Sequence, residues 1–161
     1  MRVDLVQQLA CDPRLIDIAR RFIGGTPLPF TATLFDKSPT SNWLVAWHQD
    51  IALPLRRQVD ISGWGPWSRK AGQLYALAPA SALARIVALR VHIDDSTAEN
   101  GPLVRTIEPV DCVVDRGGVI VMRPLVVHAS SKSRSALARR VLHIEYASDL
   151  TLGGGIELAI A

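Results

Sequence analysis

An all-β body behind a short helical preface is the fold class this sequence predicts, and three observations predict it. Apolar residues recur at helical spacing only before Gly24-Gly25. Beyond that pair come many short runs of β-branched and aromatic residues. Clusters of Pro, Gly, Asn and Ser separate the runs, as turns separate strands in a sandwich or barrel. The double-sheet jelly roll, the shape shared by cupins, is one way to close such a set, and its mouth is a natural ligand site.

The elements follow in order. Leu5, Val6 and Leu9, then Leu15, Ile16, Ala19 and Phe22, mark a preface over residues 1–25, with Asp12-Pro13 as N-cap and first helical residue and Gly24-Gly25 as the stop. Strands are expected at Thr31–Phe35, Asn42–His48, Ile86–Ile93, Leu103–Ile107, Cys112–Val114, Val119–Met122, Leu125–His128 and Arg139–Ala147. Pro79–Arg85 is expected as one further short helix. This places a jelly-roll core over residues 30–148 and a C-terminal tail over 149–161, all in a single domain.

Composition limits what the domain can do. With 161 residues, 48% of them hydrophobic, the chain can bury one substantial core, and a net charge of +3 with scattered basic residues gives little support for nucleic-acid or membrane binding. A small-molecule partner is expected. Cys11 and Cys112 have no metal-site spacing, no secretory leader pattern opens the chain, and no apolar run suits a bilayer span, so a reducing, cytoplasmic setting is expected. No motif sets the oligomeric state or the primary substrate.

The segment Trp47-His-Gln-Asp50 carries the first chemical signal. Alternation along a strand sends His48 and Asp50 to one face. A hydrogen-bonded histidine beside an aspartate that turns the chain explains such a pair when it stands alone. The run Val119–His128, kinked at Pro124, ends in a second imidazole. Two neutral imidazoles and one carboxylate on one side of a metal leave the opposite positions open. That arrangement suits non-haem Fe(II), and zinc is chemically compatible with it. A cosubstrate site would separate the two metals. Arg139, at the head of the last strand, can grip a remote carboxylate with paired hydrogen bonds, so a dicarboxylic 2-oxo acid could chelate the metal at one end and meet Arg139 at the other. Alternation turns Arg140 to the opposite face.

The segments LFDKSPTSNWLVAWHQD, GWGPWS, LRVHIDDSTAENGPL, GGVIVMRPLVVHASS and RRVLHIEYAS, in this order, resemble the phytanoyl-CoA dioxygenase-like branch of the Fe(II)/2-oxoglutarate-dependent oxygenases from about Thr31 to the C-terminus. The resemblance implies a double-stranded β-helix with iron held by His48, Asp50 and His128, and 2-oxoglutarate held at its far carboxylate by Arg139 with Ser130 assisting. It further implies that Asn42 contacts the cosubstrate and that Trp67 or Trp64 forms an aromatic wall beside it. Asp50 itself points to hydroxylation, since related halogenases carry a small residue there. Small-molecule hydroxylation with O2, releasing succinate and CO2, is the expected activity. The alternatives are a metal-dependent cupin-like isomerase or lyase without cosubstrate, and a member that binds metal or ligand without turnover. No catalytic group beyond the metal ligands is expected.

Tyr75, His92 and Asp94 are candidate substrate contacts, although His92 and Asp94 equally fit a structural histidine and a turn residue. His143 and Glu145 share the face of Arg139, as a pair supporting it or in a direct role. The chain departs from the resembled family after Leu103, where an insert that normally covers the barrel mouth is absent, and at its short N-terminal segment.

Overall fold

Asp12 ends one helix and begins the next. In the computed structural model, which describes residues 2–105 and 109–160, α1 spans Arg2–Ala10 and α2 spans Pro13–Ile23. The Asp12 side chain accepts from the Arg14 amide at 2.9 Å, Pro13 supplies the preset first turn, and the Gly24 N–H closes the end on the Arg20 carbonyl. Leu15 and Ala19 face inward while Phe22 stays exposed.

Among the described residues, thirteen strands follow or flank one short helix: β1 (Leu28–Lys37), β2 (Val45–His48), β3 (Ala52–Leu55), β4 (Trp67–Lys70), β5 (Gln73–Leu77), α3 (Ala80–Leu83), β6 (Ile86–His92), β7 (Leu103–Arg105), β8 (Val110–Cys112), β9 (Val119–Met122), β10 (His128–Ser130), β11 (Arg139–Ala147), β12 (Thr151–Gly153) and β13 (Ile156–Glu157). Two antiparallel four-stranded sheets, ordered β1-β11-β6-β9 and β2-β10-β7-β8, form a cupin-like β-sandwich. A three-stranded sheet, β3-β5-β4, and the β12–β13 hairpin complete it.

The face of the first sheet toward the helices is apolar. Leu142, Ile144 and Tyr146 of β11 and Val87 and Leu89 of β6 pack against Ala10, Leu15 and Ala19 of the helices, and the Tyr146 hydroxyl donates to the Ala10 carbonyl at 2.9 Å. Alternation then turns Arg139, Val141, His143 and Glu145 toward the second sheet. The inner face is divided: Phe30, Ile86 and Ala147 join a second apolar cluster, while Arg139, His143 and Arg90 line a cavity.

Several boundaries differ from the sequence expectation. The second strand begins at Val45 rather than Asn42, and Cys112 ends a strand instead of starting one. The segment expected as Leu125–His128 turns after Pro124, with the Val126 amide on the Arg123 carbonyl, so pairing starts only at His128. Thr106 and Ile107 of the expected Leu103–Ile107 strand lie outside the described residues. Strands β3 to β5 were not expected. Pro54 masks β3, which tolerates it as an edge strand, and β4 and β5 join through Ala71-Gly72, both at positive φ (48° and 84°), without the Asn-Gly signal usual for such hairpins.

The expected C-terminal tail is partly core. Ile156 and Leu158 are fully buried against Phe30, Leu53, Leu55 and Leu83. Ile156→Ala is therefore expected to destabilise the protein by about 2–5 kcal/mol in urea unfolding, whereas a solvent-facing tail residue would change it by about 0.5 kcal/mol or less.

Candidate metal centre

The last residue of β2 lies directly across from the first residue of β10, which sets His48 opposite His128 with ring centroids 4.2 Å apart. Each ring is fixed by its own strand. His48 Nδ1 lies 2.8 Å from the Ala46 carbonyl, and His128 Nδ1 lies 2.9 Å from that of Val126. A carbonyl oxygen can only accept, so both Nδ1 atoms carry hydrogen and both Nε2 atoms are bare donors for a metal. Both point at one carboxylate: His48 Nε2 is 3.3 Å from Asp50 Oδ1, and His128 Nε2 is 3.6 Å from Asp50 Oδ2. The Asp50 amide is tied to the Pro124 carbonyl at 2.9 Å, which anchors the residue just past the strand end. The three ligand atoms lie within 4.8 Å of one another. Burial, the dominant influence, holds the His128 imidazolium below its ordinary range and keeps the ring neutral, as ligation requires.

A second group of polar residues closes the same cavity. Arg139 is 2% exposed; its Nε donates to the Asn100 carbonyl at 3.2 Å, its Nη2 to Ser130 Oγ at 3.4 Å, and its Nη1 has no partner among the described residues. Ser130 Oγ in turn donates to the Gly101 carbonyl at 2.8 Å. Gly101 is required here: at φ +68° a Cβ would lie 2.3 Å from the Ser131 carbonyl oxygen. Lys37, opposite Arg139 in the β1–β11 register, donates to Ser130 Oγ at 2.7 Å and lies 5.7 Å from the centre of the Trp43 ring. Burial, with Arg139 and Arg90 nearby, lowers its pKa to about 8. Phe35, Trp43, Val45 and Leu103 supply apolar lining to the same cavity. Two imidazole nitrogens and a carboxylate oxygen can hold a divalent metal, and the cationic end can receive an anion.

Of the residues singled out in the sequence, His48, Asp50, His128, Ser130 and Arg139 line one cavity; Asn42, Trp67, Tyr75, His92 and Asp94 do not line it. Asn42 instead exchanges two hydrogen bonds with the Ser133 backbone, shaping the loop behind Ser130. Trp67 and Trp64 pack on the apolar cluster around Leu53 and Leu55, and Trp43 is the tryptophan that lines the cavity. Tyr75 faces Lys70. His92 is buried with neither ring nitrogen bonded, its pKa lowered to about 4 by burial above all. Asp94 forms a forked pair with Arg140 at 2.8 Å. His143 bonds Arg90 at 3.2 Å and Glu145 accepts from Thr31 at 2.6 Å, so neither supports Arg139. Lys37 and Arg90 were missed. Strand alternation from Phe35 could have flagged Lys37, but nothing in linear order marks Arg90 as buried beside the site.

No family model and no curated protein matches the chain. Solved structures match its fold. They include SnoN, a non-heme alpha-ketoglutarate-dependent epimerase from nogalamycin biosynthesis (TM-score 0.69, 16% identity, 94% of this chain and 61% of that one). The non-heme monooxygenase ThoJ, solved with nickel, matches with a TM-score of 0.64 and 20% identity over 88% of this chain and 52% of its own. HygX from Streptomyces hygroscopicus, solved with nickel and 2-oxoglutarate, matches with a TM-score of 0.57 and 18% identity over 88% and 66%. At such identities the likeness concerns the fold. The chain spans about half to two thirds of the length of these three proteins.

The lowered Lys37 pKa gives a stability signature. An unfolded lysine titrates near 10.4, so between about pH 8 and that value the unfolded chain binds more protons and folding stability rises with pH. Against Lys37→Met in the ligand-free state, the parent is expected to gain unfolding free energy across that window and to show a constant difference below it, measured by urea unfolding at stepped pH.

Proposed function

We propose that the protein is an Fe(II)- and 2-oxoglutarate-dependent dioxygenase of the phytanoyl-CoA dioxygenase-like branch, built on a double-stranded β-helix, that hydroxylates a small molecule and releases succinate and CO2. The observation that carries this reading is the joining of a two-histidine, one-carboxylate face with the Arg139–Ser130–Lys37 group in one apolar-walled cavity. A metal-only isomerase or lyase has no use for that second group. HygX, of similar fold, has been solved with iron and with nickel and 2-oxoglutarate.

The donor set fits the metal. Two neutral nitrogens with their tautomers set, plus one carboxylate on the same side, suit Fe(II) and leave open positions. When bound, iron with 2-oxoglutarate supplies the activation of O2 and the oxidation of an unactivated C–H bond. The chain's own part is placement. His48, Asp50 and His128 hold the metal; Arg139 and Lys37, with Ser130 between them, orient the far carboxylate; Phe35, Trp43, Val45 and Leu103 keep water from that contact. With 39% of its side chain exposed, His48 marks the side from which substrate arrives. No residue need act as general base or nucleophile.

His48→Ala, Asp50→Ala and His128→Ala are each expected to leave a folded protein that neither retains Fe(II) nor forms succinate, because two remaining donors cannot hold the ion against buffer. Full iron-dependent succinate formation by any of the three would remove that residue from the ligand set. Arg139→Ala should weaken 2-oxoglutarate binding in anaerobic titration by roughly thirty- to a thousandfold, the loss of a charge-assisted contact worth about 2–4 kcal/mol. Arg140→Ala, which breaks only the outward pair with Asp94, should leave that affinity unchanged.

A further inference from the structure

Arg90 is a buried cation that neither the metal nor the Arg139 group employs. It is 6% exposed, lies on β6 opposite His143 of β11, and lines the same cavity as the histidines. Among the described residues no carboxylate pairs with it. Its Nη1 lies 3.2 Å from His143 Nδ1, its Cζ lies 5.1 Å from the Phe35 ring centre, and its Nε has no partner. Because a guanidinium can only donate, His143 Nδ1 must accept; burial and Arg90 itself press the His143 pKa down to about 3, so the ring is a neutral prop. The guanidinium is thus held in place from one side while part of its donor fork is unused.

The strand register says which end of the cavity it serves. Lys37 and Arg139 face each other across β1 and β11, and Arg90 faces His143, four residues further along β11. That offset is roughly 13 Å along the sheet at about 3.3 Å per residue. On the facing sheet Ser130, which bonds both Lys37 and Arg139, lies two residues along β10 from His128, so the histidine face and the Arg90–His143 pair are both displaced from that far end within one cavity. Arg90 thus lines the cavity apart from the two cations that face each other at the Ser130 end. A five-carbon dicarboxylate, whose terminal carbons are separated by four C–C bonds, or about 5 Å when extended, fits between guanidinium arms reaching in from both ends.

We propose that Arg90 receives the metal-proximal C1 carboxylate of the 2-oxo acid, so that the cavity clamps the dianion at both ends before any metal contributes. This rests on the cosubstrate reading above, and it makes Arg90 a binding residue specific to the carboxylate beside the ketone. An anionic group on the primary substrate could use the same fork, and the test separates the two sources.

The test uses metal-free protein and two probes: 2-oxoglutarate, and 4-oxopentanoate, which keeps the ketone and the far carboxylate but carries a methyl group in place of the C1 carboxylate. Titration calorimetry gives both dissociation constants for the parent, Arg90→Gln, Arg90→Lys and Arg139→Gln, with circular dichroism confirming the fold. The parent should prefer 2-oxoglutarate by about thirtyfold, as expected for a charge-assisted contact. Arg90→Gln should reduce that preference to about threefold or less while leaving 4-oxopentanoate binding unchanged; Arg90→Lys should restore part of it, and it decides the matter if the glutamine variant does not fold. Arg139→Gln should weaken both probes alike. Retention of the preference in Arg90→Gln, with both probes weakened in Arg139→Gln, overturns the Arg90 assignment alone and leaves its fork to an anionic substrate. Equal weakening of both probes by Arg90→Gln also overturns it, since a structural prop would act on both. Unchanged binding of both probes in Arg139→Gln overturns the cosubstrate reading itself.

Discussion

The antiparallel pairing of β10 with β2 places His128 against His48, and the rest of the site is arranged around that one register. A slip of one residue would send an imidazole to the other face, where it could not meet Asp50. The pairing is short, so other bonds reinforce it: each imidazole ties back to its own strand, and the Asp50 amide is fastened to the carbonyl of Pro124, at the turn that feeds β10. The ligand atoms are preorganised by backbone, with little left to side-chain freedom.

The opposite wall depends on a division of labour within one sheet. Strand β11 gives Leu142, Ile144 and Tyr146 to the helices and Arg139 and His143 to the cavity. Three buried cations, Lys37, Arg90 and Arg139, lie on that inner face without a carboxylate partner among the described residues, an arrangement that costs folding energy. The apolar packing on the helix side, together with the second cluster around Phe30, Leu53 and Ile156, offsets that cost. Unused donors on Arg90 and Arg139 are what such a cost leaves available to a ligand.

The approach to the site is partly open. Strands β7 and β8 pair directly, Leu103 against Cys112 and Arg105 against Val110, and His48 and Asp50 remain partly open to solvent. With Arg139 and Lys37 buried at one end and His48 and Asp50 partly exposed at the other, the cavity has a direction, from an open side to an enclosed, cationic one.

Much of this was legible in linear order. The helical preface with its Asp12 cap, the strands at Val119–Met122 and Arg139–Ala147, the convergence of His48 with Asp50, and the opposite faces of Arg139 and Arg140 follow from periodicities of 3.6 and 2 that every chain obeys locally. Local rules failed where distant segments decide. Pro54 sits in a strand because that strand is an edge, Ile156 and Leu158 enter the core because they find an apolar cluster from six other elements, and Trp43 rather than Trp67 reaches the cavity. Lys37 and Arg90 are the sharpest cases. A lysine and an arginine in a strand read as solvated residues, and only the stacking of two sheets, with Arg139 and His143 set across from them, turns their charges inward. The sequence by itself determined the candidate metal-ligating residue types and their faces; tertiary structure decided the charge of the cavity, because desolvation and the field of neighbouring cations exist only once the sheets have closed over them.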